Sequence, residues 1–391
     1  MIEDILSPLP WSIVEKYKTL PPNRWGSNIE FFTGNLPNLE DVHLAIIGIR
    51  EDRGSVDNEG CFDTANAVRD QLYNLVNHHQ SLKIWDFGNI EKGSQLSDTY
   101  FGVSSVVAEL LKHKVVPILI GGSHDLTCAH FKGYSSFERK EINVTVIDER
   151  IDLEEMEGDI TDLNHLSRII TGNPPFLESL SLMGYQSHFS DPKSAETLDK
   201  LGFECMRLGV VRQDLEEVEP LVRESDMLSF DLSAIRQADA PAVKGATPNG
   251  LTGEEACQIC RYAGLSDRLS SIGLYNFNPV FDRNEQTAQL IAQMIWYFTE
   301  GFYNRKDDKL TLTERDFYRY IVHLEEGQHD LHFWKSRKSD RWWLEIAVPP
   351  PPGKKKAKPM LVPCSYADYK IASSGDLPER WIKAQLKVAA I

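Results

Sequence analysis

Long apolar runs are missing from this 391-residue sequence, and no stretch approaches the roughly 20 residues that span a bilayer. An excess of basic charge is missing too. Its 58 Asp and Glu outnumber 42 Lys and Arg, for a formal charge of −16, and a general nucleic-acid binder would need the opposite field. The opening residues MIEDILSPLPWSIVEKY have no basic stretch leading into an apolar core, so they do not read as a signal peptide. The six cysteines follow no small-scaffold spacing, which fits a reducing compartment, and a cytoplasmic location is expected. Cys257 and Cys260 are spaced as a CxxC, but inside TGEEACQICRYAG. There Thr252 and Glu255 form a capping box, so a core helix is expected rather than a metal or redox site.

What is present is a series of short apolar runs ending in Gly or a polar residue. They are HLAIIGI (43–49), LKIWDFG (82–88), VVPILIGG (115–122), NVTVID (143–148), LSLMGYQ (180–186), CMRLGVV (205–211), DMLSFD (226–231) and SSIGLYNF (270–277). Most are continuously apolar, the pattern of strands buried on both faces of a parallel sheet. Segments 64–79 and 99–114 carry apolar residues at helical spacing, and 284–304 reads as a long amphipathic helix. Strand–helix alternation predicts an α/β fold, doubly wound, with about eight strands.

Composition shifts near residue 308. Residues 309–391 hold 15 Lys and Arg against 10 Asp and Glu, whereas 1–308 hold 27 against 48. Four of the eight Trp lie in this last fifth: Trp334, Trp342, Trp343 and Trp381. LHFWKSRKSDRWWLEIAV (331–348) reads as two aromatic strands around a turn, PPPPGKKKAK (349–358) as a solvated linker, and LPERWIKAQLKVA as a closing helix. The expected division is a main domain at 1–308 and a small α+β module at 309–391. Packing, or an interface with a protein partner or a second copy, is the expected role of the module; single-stranded nucleic acid is the disfavoured alternative.

In an open parallel sheet, ligands bind beyond the carboxyl ends of the strands. Four predicted strands end in polar groups: His124 in ILIGGSHD, Asp148 and Asp152 in VTVIDERID, Asp231 in MLSFDLSAIRQADAPA, and Asn276 and Asn278 in SIGLYNFNPVFD. An imidazole among carboxylates suits a borderline divalent metal such as manganese.

These motifs resemble the ureohydrolase superfamily, which includes arginase, agmatinase and formimidoylglutamase. GGSHD (121–125), DERID (148–152), SFDLSAIRQADAP (229–241) and NFNP (276–279) stand in the order of the superfamily's Gly-Gly-Asp-His-Ser, Asp-Ala-His-x-Asp, Ser-x-Asp-x-Asp and Glu-x-Asn-Pro motifs. The resemblance covers about residues 40–300. It implies a three-layer αβα fold with an eight-stranded parallel sheet and a manganese centre at the strand ends. It further implies that His124, Asp148, Asp152 and Asp231 hold the first metal.

Departures are equally specific. The two ligands unique to the second metal are replaced by Arg150 and Ser233, and the acidic residue of the substrate pocket by Asn276. An arginine cannot offer a lone pair to a metal, so one Mn(II) at most is expected and a second site is not. Arg150 is expected to pair with Asp148 or Asp231, and His165 to be a surface loop residue rather than a proton carrier. The sequence therefore leans away from an enzyme, toward a scaffold, binding or interaction protein that has lost dinuclear catalysis. The alternative is a mononuclear metal-dependent hydrolase of amidine C–N bonds, with Asp148, Asp152 and Asp231 as its working carboxylates.

Overall fold

The computed structural model describes residues 2–136, 141–154, 158–172, 175–308, 315–324, 330–349 and 359–389. Its main sheet contains β1 (Leu6–Ser7), β2 (Glu30–Phe31), β3 (Leu44–Arg50), β4 (Ile84–Glu91), β5 (Val116–Ile120), β6 (Ile142–Ile147), β7 (Leu177–Tyr185), β8 (Glu204–Arg207), β9 (Met227–Asp231) and β10 (Ser271–Tyr275). Eight of these run parallel in the order β4-β3-β5-β10-β9-β6-β7-β8. Two-residue β1 (antiparallel) and β2 (parallel) extend the outer edge at β4. Helices cover both faces, giving the expected three layers. The central strands are apolar on both sides because each face meets its own core. Leu44, Ile46, Ile118 and Leu228 belong to one cluster, whereas Ala45, Ile47, Leu119 and Met227 belong to the other.

Helices Leu96–Lys112 and Gln286–Tyr303 lie where the periodicity places them. Helix Gly253–Leu265 is closed at its start by the Thr252–Glu255 capping box and buries Cys257 and Cys260, as expected. Two segments differ. The helix expected over 64–79 stops at Leu72, because the carbonyls of Tyr73 and Leu75 accept the N–H groups of Gly26 and Trp25 at 3.1 and 3.0 Å. The run CMRLGVV is a strand only to Arg207, and Leu208–Gln213 turns into a helix. Among the described residues no helix is long and apolar enough to cross a membrane.

The carboxy-terminal part forms an antiparallel sheet of β11 (Phe317–His323), β12 (Asp330–Ser336), β13 (Trp342–Ile346) and β14 (Met360–Cys364), in that order. Helices Tyr366–Ser373 and Glu379–Ala389 accompany it. The expected aromatic hairpin is β12–β13, where Trp334 faces Trp343. The proline–lysine stretch from 350 to 358 lies outside the described residues.

This module joins the body by charge complementarity. Arg341 meets Glu219 at 3.3 Å, Arg380 meets Glu217 at 3.1 Å and Lys383 meets Glu204 at 2.8 Å. Buried Arg223 lies over the Trp343 ring at 4.5 Å and donates to the carbonyls of Trp342 and Cys364. Glu204 begins β8, and the helix carrying Glu219 and Arg223 leads into β9. The described residues of the module therefore cover the amino-terminal rim of the sheet, away from the carboxyl ends of the strands.

Candidate metal centre

Strands β5, β10, β9 and β6 are consecutive in the sheet, so the four polar strand ends converge at its middle. After β5 the chain turns through Gly121 (φ +98) and Gly122 (φ +78). A Cβ on Gly122 would lie 2.1 Å from Leu126 Cδ1 and 2.6 Å from the Glu51 carbonyl oxygen, so only glycine permits the turn. That turn delivers His124, fully buried, over the strand ends. Asp148 follows β6, its N–H donating to the Met183 carbonyl at 3.0 Å. Asp231 is the last residue of β9 and pairs in register with Tyr275.

His124 Nδ1 lies 2.9 Å from Asp148 Oδ2, 3.1 Å from Asp231 Oδ2 and 3.8 Å from Asp152 Oδ2. On the other side of the ring, His124 Nε2 is 3.0 Å from Ser229 Oγ, which in turn is 2.6 Å from Thr127 Oγ1. All four residues predicted from the sequence as first-metal ligands are thus assembled. Burial opposes charge on His124, yet the surrounding carboxylates, Asp231 foremost, hold its pKa well above the ordinary imidazole value. Burial and the adjacent Asp152 and Asp231 carboxylates push Asp148 well up.

The donor set fits a divalent cation. His124 Nδ1 and Asp148 Oδ2 are both buried and face each other, but neither completes a hydrogen bond. Without a cation the surrounding carboxylates favour a proton on the ring; in the tautomer that keeps its proton on Nε2, facing Ser229, Nδ1 would instead aim a lone pair at carboxylates that repel one another. A cation there relieves the repulsion, and the outer hydrogen bond fixes the ligating tautomer. His124, Asp148 and Asp231 offer ligand atoms within 4.8 Å of one another, as do His124, Asp152 and His165.

Arg150 is not where the sequence reading put it. Only its backbone N–H reaches Asp148, at 2.9 Å from Oδ1. Its guanidinium lies 5.4 Å over the Phe189 ring, with Nε 3.4 Å from Glu149 Oε1, and its side chain is 45% exposed. The turn after Asp148 sends the side chain outward, so it does not bridge the carboxylates. Asp231 is instead held by the Ser233 backbone N–H at 2.7 Å and by Asn276 Nδ2 at 2.6 Å. Asn276 adopts φ +68, a conformation asparagine tolerates, and its Oδ1 is buried without a hydrogen-bond partner.

His165 also departs from expectation. It is fully buried rather than on a surface loop, with its ring centroid 4.4 Å from that of His124. Its Nδ1–H points at the Asp162 carbonyl at 3.1 Å, leaving Nε2 unpaired. Burial and neighbouring His124 push its pKa well below the usual value. Asp125 turns away from the centre to accept hydrogen bonds from Ser123 and Tyr100, and Arg236 pairs with Asp239 at 2.9 Å.

Two acids were missed in the sequence. Glu149 is buried beside the cleft, and burial, then Asp231 and Asp148, push its pKa up to about 7; a carboxylate in place of the motif's alanine was the available signal. Asp162 accepts from Ser55 Oγ at 2.9 Å and Val56 N at 3.1 Å, pinning the loop above the site. Nothing in its local sequence marked it. The centre opens into a cleft of about 340 Å³, lined also by Ser233, Asn276, Arg150 and Lys244.

The Arginase family pattern matches residues 42–300. The chain belongs to the arginase family. The formimidoylglutamase of Streptococcus gordonii is 24% identical over 302 residues, covering 71% of this chain and 91% of that protein. That of Vibrio cholerae is 25% identical, covering 67% and 85%. Among solved structures, Trypanosoma cruzi formiminoglutamase with Mn2+ superposes with a TM-score of 0.65 at 20% identity, covering 72% of this chain and 99% of that one. Bacillus subtilis formimidoylglutamase gives 0.62 at 17% identity, covering 75% and 99%. These relatives correct the expectation that leaned away from an enzyme. They are named hydrolases matched over nearly their whole lengths, and nothing in them supports a scaffold or interaction role. Replacement of the second-metal ligands by Arg150 and Ser233 leaves the donor set around His124 complete, so it does not by itself imply lost activity.

Proposed function

We propose that the chain is a metal-dependent hydrolase of amidine C–N bonds, of the formimidoylglutamase type, working with one manganese ion. The observation that carries this is the geometry at His124: a buried ring whose Nε2 is hydrogen-bonded to Ser229 Oγ and whose Nδ1 faces Asp148, Asp152 and Asp231. The names of the curated relatives and the Mn2+ in the Trypanosoma cruzi structure support the same reading. The single ion follows from Arg150 and Ser233. One cannot donate a lone pair, and the other offers at best a weak neutral oxygen.

His124, Asp148, Asp152 and Asp231 would hold the ion, which when bound lowers the pKa of water and so supplies a nucleophile at neutral pH. The rest of the chemistry falls to the chain. In the overall reaction water adds to the amidine carbon, the C–N bond to the substituent breaks, and the departing nitrogen takes a proton; formimidoylglutamate gives glutamate and formamide. Ser229, backed by Thr127, holds the His124 ring in its orientation. Asn276 and the Ser233 N–H fix Asp231, so that the carboxylate does not swing away as substrate enters. The unpaired Asn276 Oδ1 offers an acceptor to an amidine N–H without adding another negative charge. That suits a substrate less dependent on a full carboxylate partner than a guanidinium would be.

The test is manganese-dependent release of glutamate from formimidoylglutamate, with arginine and agmatine in parallel. The expected result is turnover of the first, abolished by a chelator and restored by manganese. Absence of metal-dependent turnover with all three would defeat the proposal.

A further inference from the structure

The cleft is divided by charge. Its floor is acidic and buried: Asp148, Asp152 and Asp231 are each no more than 5% exposed. Its mouth carries two cations, Arg150 and Lys244, whose side chains are 45% and 51% exposed, with the exposed Asp57 beside Lys244. We propose that these two residues form a carboxylate-binding subsite that selects amidines bearing an acid group. This rests on the reading of the chain as an amidine hydrolase and names the residues of that site that set its substrate class.

The state of Arg150 argues for a recognition role. Its backbone is anchored by the Asp148 carboxylate, its ring-like head rests on Phe189, and Nε has one long contact to Glu149 at 3.4 Å. Its two terminal amino groups have no protein acceptor among the described residues. A guanidinium propped on an aromatic face with a free donor edge is set for bidentate contact with a carboxylate. Lys244 lines the same cleft. Its backbone N–H is 3.4 Å from Asn58 Oδ1, and its ammonium has only Asp57, itself 86% exposed, at 3.4 Å. Exposed pairs of this kind are weak, so the ammonium can turn to a ligand at little cost.

The loop carrying Lys244 is tied to the Arg150 side, because Thr247 Oγ1 lies 3.4 Å from Glu149 Oε2 and Gln186 Nε2 donates to the Asn249 carbonyl at 3.2 Å. Arg150 and Lys244 thus flank one opening. An amidinium directed to the acidic floor and a carboxylate directed to the mouth match both halves of the cleft. A substrate cationic at both ends would meet repulsion at the mouth.

Two measurements test this on the full manganese-loaded chain. The first compares KM for formimidoylglutamate with that for N-butylformamidine, which lacks acid groups, in wild type, Arg150→Gln and Lys244→Gln. The preference for the acid-bearing amidine should fall about 10-fold in each variant, mainly through KM. The second is calorimetric binding of N-acetyl-L-glutamate, which cannot be hydrolysed this way, with sulfate as a control anion. Affinity for the acid should fall about 10-fold in the variants, and sulfate should bind more weakly than the acid in wild type. Turnover with an unchanged preference in both variants would overturn the subsite while leaving the hydrolase reading intact. If wild type does not turn over formimidoylglutamate, the binding arm decides. Acid binding lost in the variants upholds the subsite, and no binding by wild type, or equal binding of sulfate, overturns it.

Discussion

Replacing Ser229 by alanine tests whether the hydrogen bond behind His124 serves a metal. The side chain removed lies 3.0 Å from His124 Nε2 and 2.6 Å from Thr127 Oγ1, all within fully buried surroundings. Two consequences separate cleanly. Without metal, the variant leaves a buried imidazole N–H and a buried hydroxyl short of a partner, at about 1–3 kcal/mol in folding stability. With metal, the imidazole loses the contact that fixes its tautomer and direction. Such outer contacts typically account for about 10- to 100-fold in affinity, or roughly 1.4–2.7 kcal/mol. Competition against a chelator of known affinity reads the second effect, and thermal melts with and without manganese read both. At manganese about 100-fold above the wild-type Kd, wild type gains about 2.7 kcal/mol, whereas a variant with tenfold weaker binding gains about 1.4 kcal/mol. A folded Ser229→Ala protein that binds manganese within about twofold of wild type would refute the argument that this hydrogen bond selects the ligating form of His124.

Further predictions concern the scaffold. Arg69 is fully buried and grips Asp86 with Nε at 2.7 Å and Nη2 at 3.0 Å; Arg69→Met leaves that buried carboxylate without its cation, with only Tyr73 O–H and Gly88 N–H donating to it, and should cost about 3–5 kcal/mol by urea unfolding, and a loss below about 1 kcal/mol would contradict it. His130 is buried and its pKa is lowered by burial to about 3, so the unfolded chain, whose histidine titrates at about 6.5, binds more protons between those values and stability falls as pH drops through this window. The loss attributable to His130 between about pH 6.5 and 5.5 should be about 1 kcal/mol, and His130→Gln should flatten that part of the denaturation profile. Gly122→Ala forces a side chain into a φ of +78 against Leu126 and the Glu51 carbonyl, and should lower stability by about 1–3 kcal/mol or more and weaken manganese binding, both visible in melts with and without the metal. Arg223→Leu removes the cation that lies over Trp343 and holds two carbonyls of the module; limited proteolysis should then release the carboxy-terminal segment faster than in wild type.

The central strands were legible in the sequence because both of their faces are buried, which leaves no polar alternation to confuse the pattern. The extent of edge strand β8 was not, since only β7 pairs with it and its apolar run continues into a helix. His124 and the three aspartates around it were readable as polar strand ends, and their resemblance to a known family's motifs gave them a role. The side-chain direction of Arg150 was not readable. It depends on a turn closed by the Asp148 carboxylate and on Phe189, 39 residues further on. His165 failed for the same reason: its burial comes from packing against His124 and Asp152, and its own neighbours in sequence carry no trace of that contact. The docking of the module was foreshadowed only as a charge asymmetry, which gives attraction but no place. The place is set by Glu204, Glu217 and Glu219 lying together at the amino-terminal rim.

The most direct test of the metal centre is the number of manganese ions bound per chain, counted by native mass spectrometry on wild type and on His124→Gln and Asp152→Asn. The arrangement around His124 predicts one ion in wild type and none, or a small residual fraction, in either variant. Wild-type protein that stays metal-free at manganese concentrations saturating for its relatives, or variants that bind as much as wild type, would contradict it.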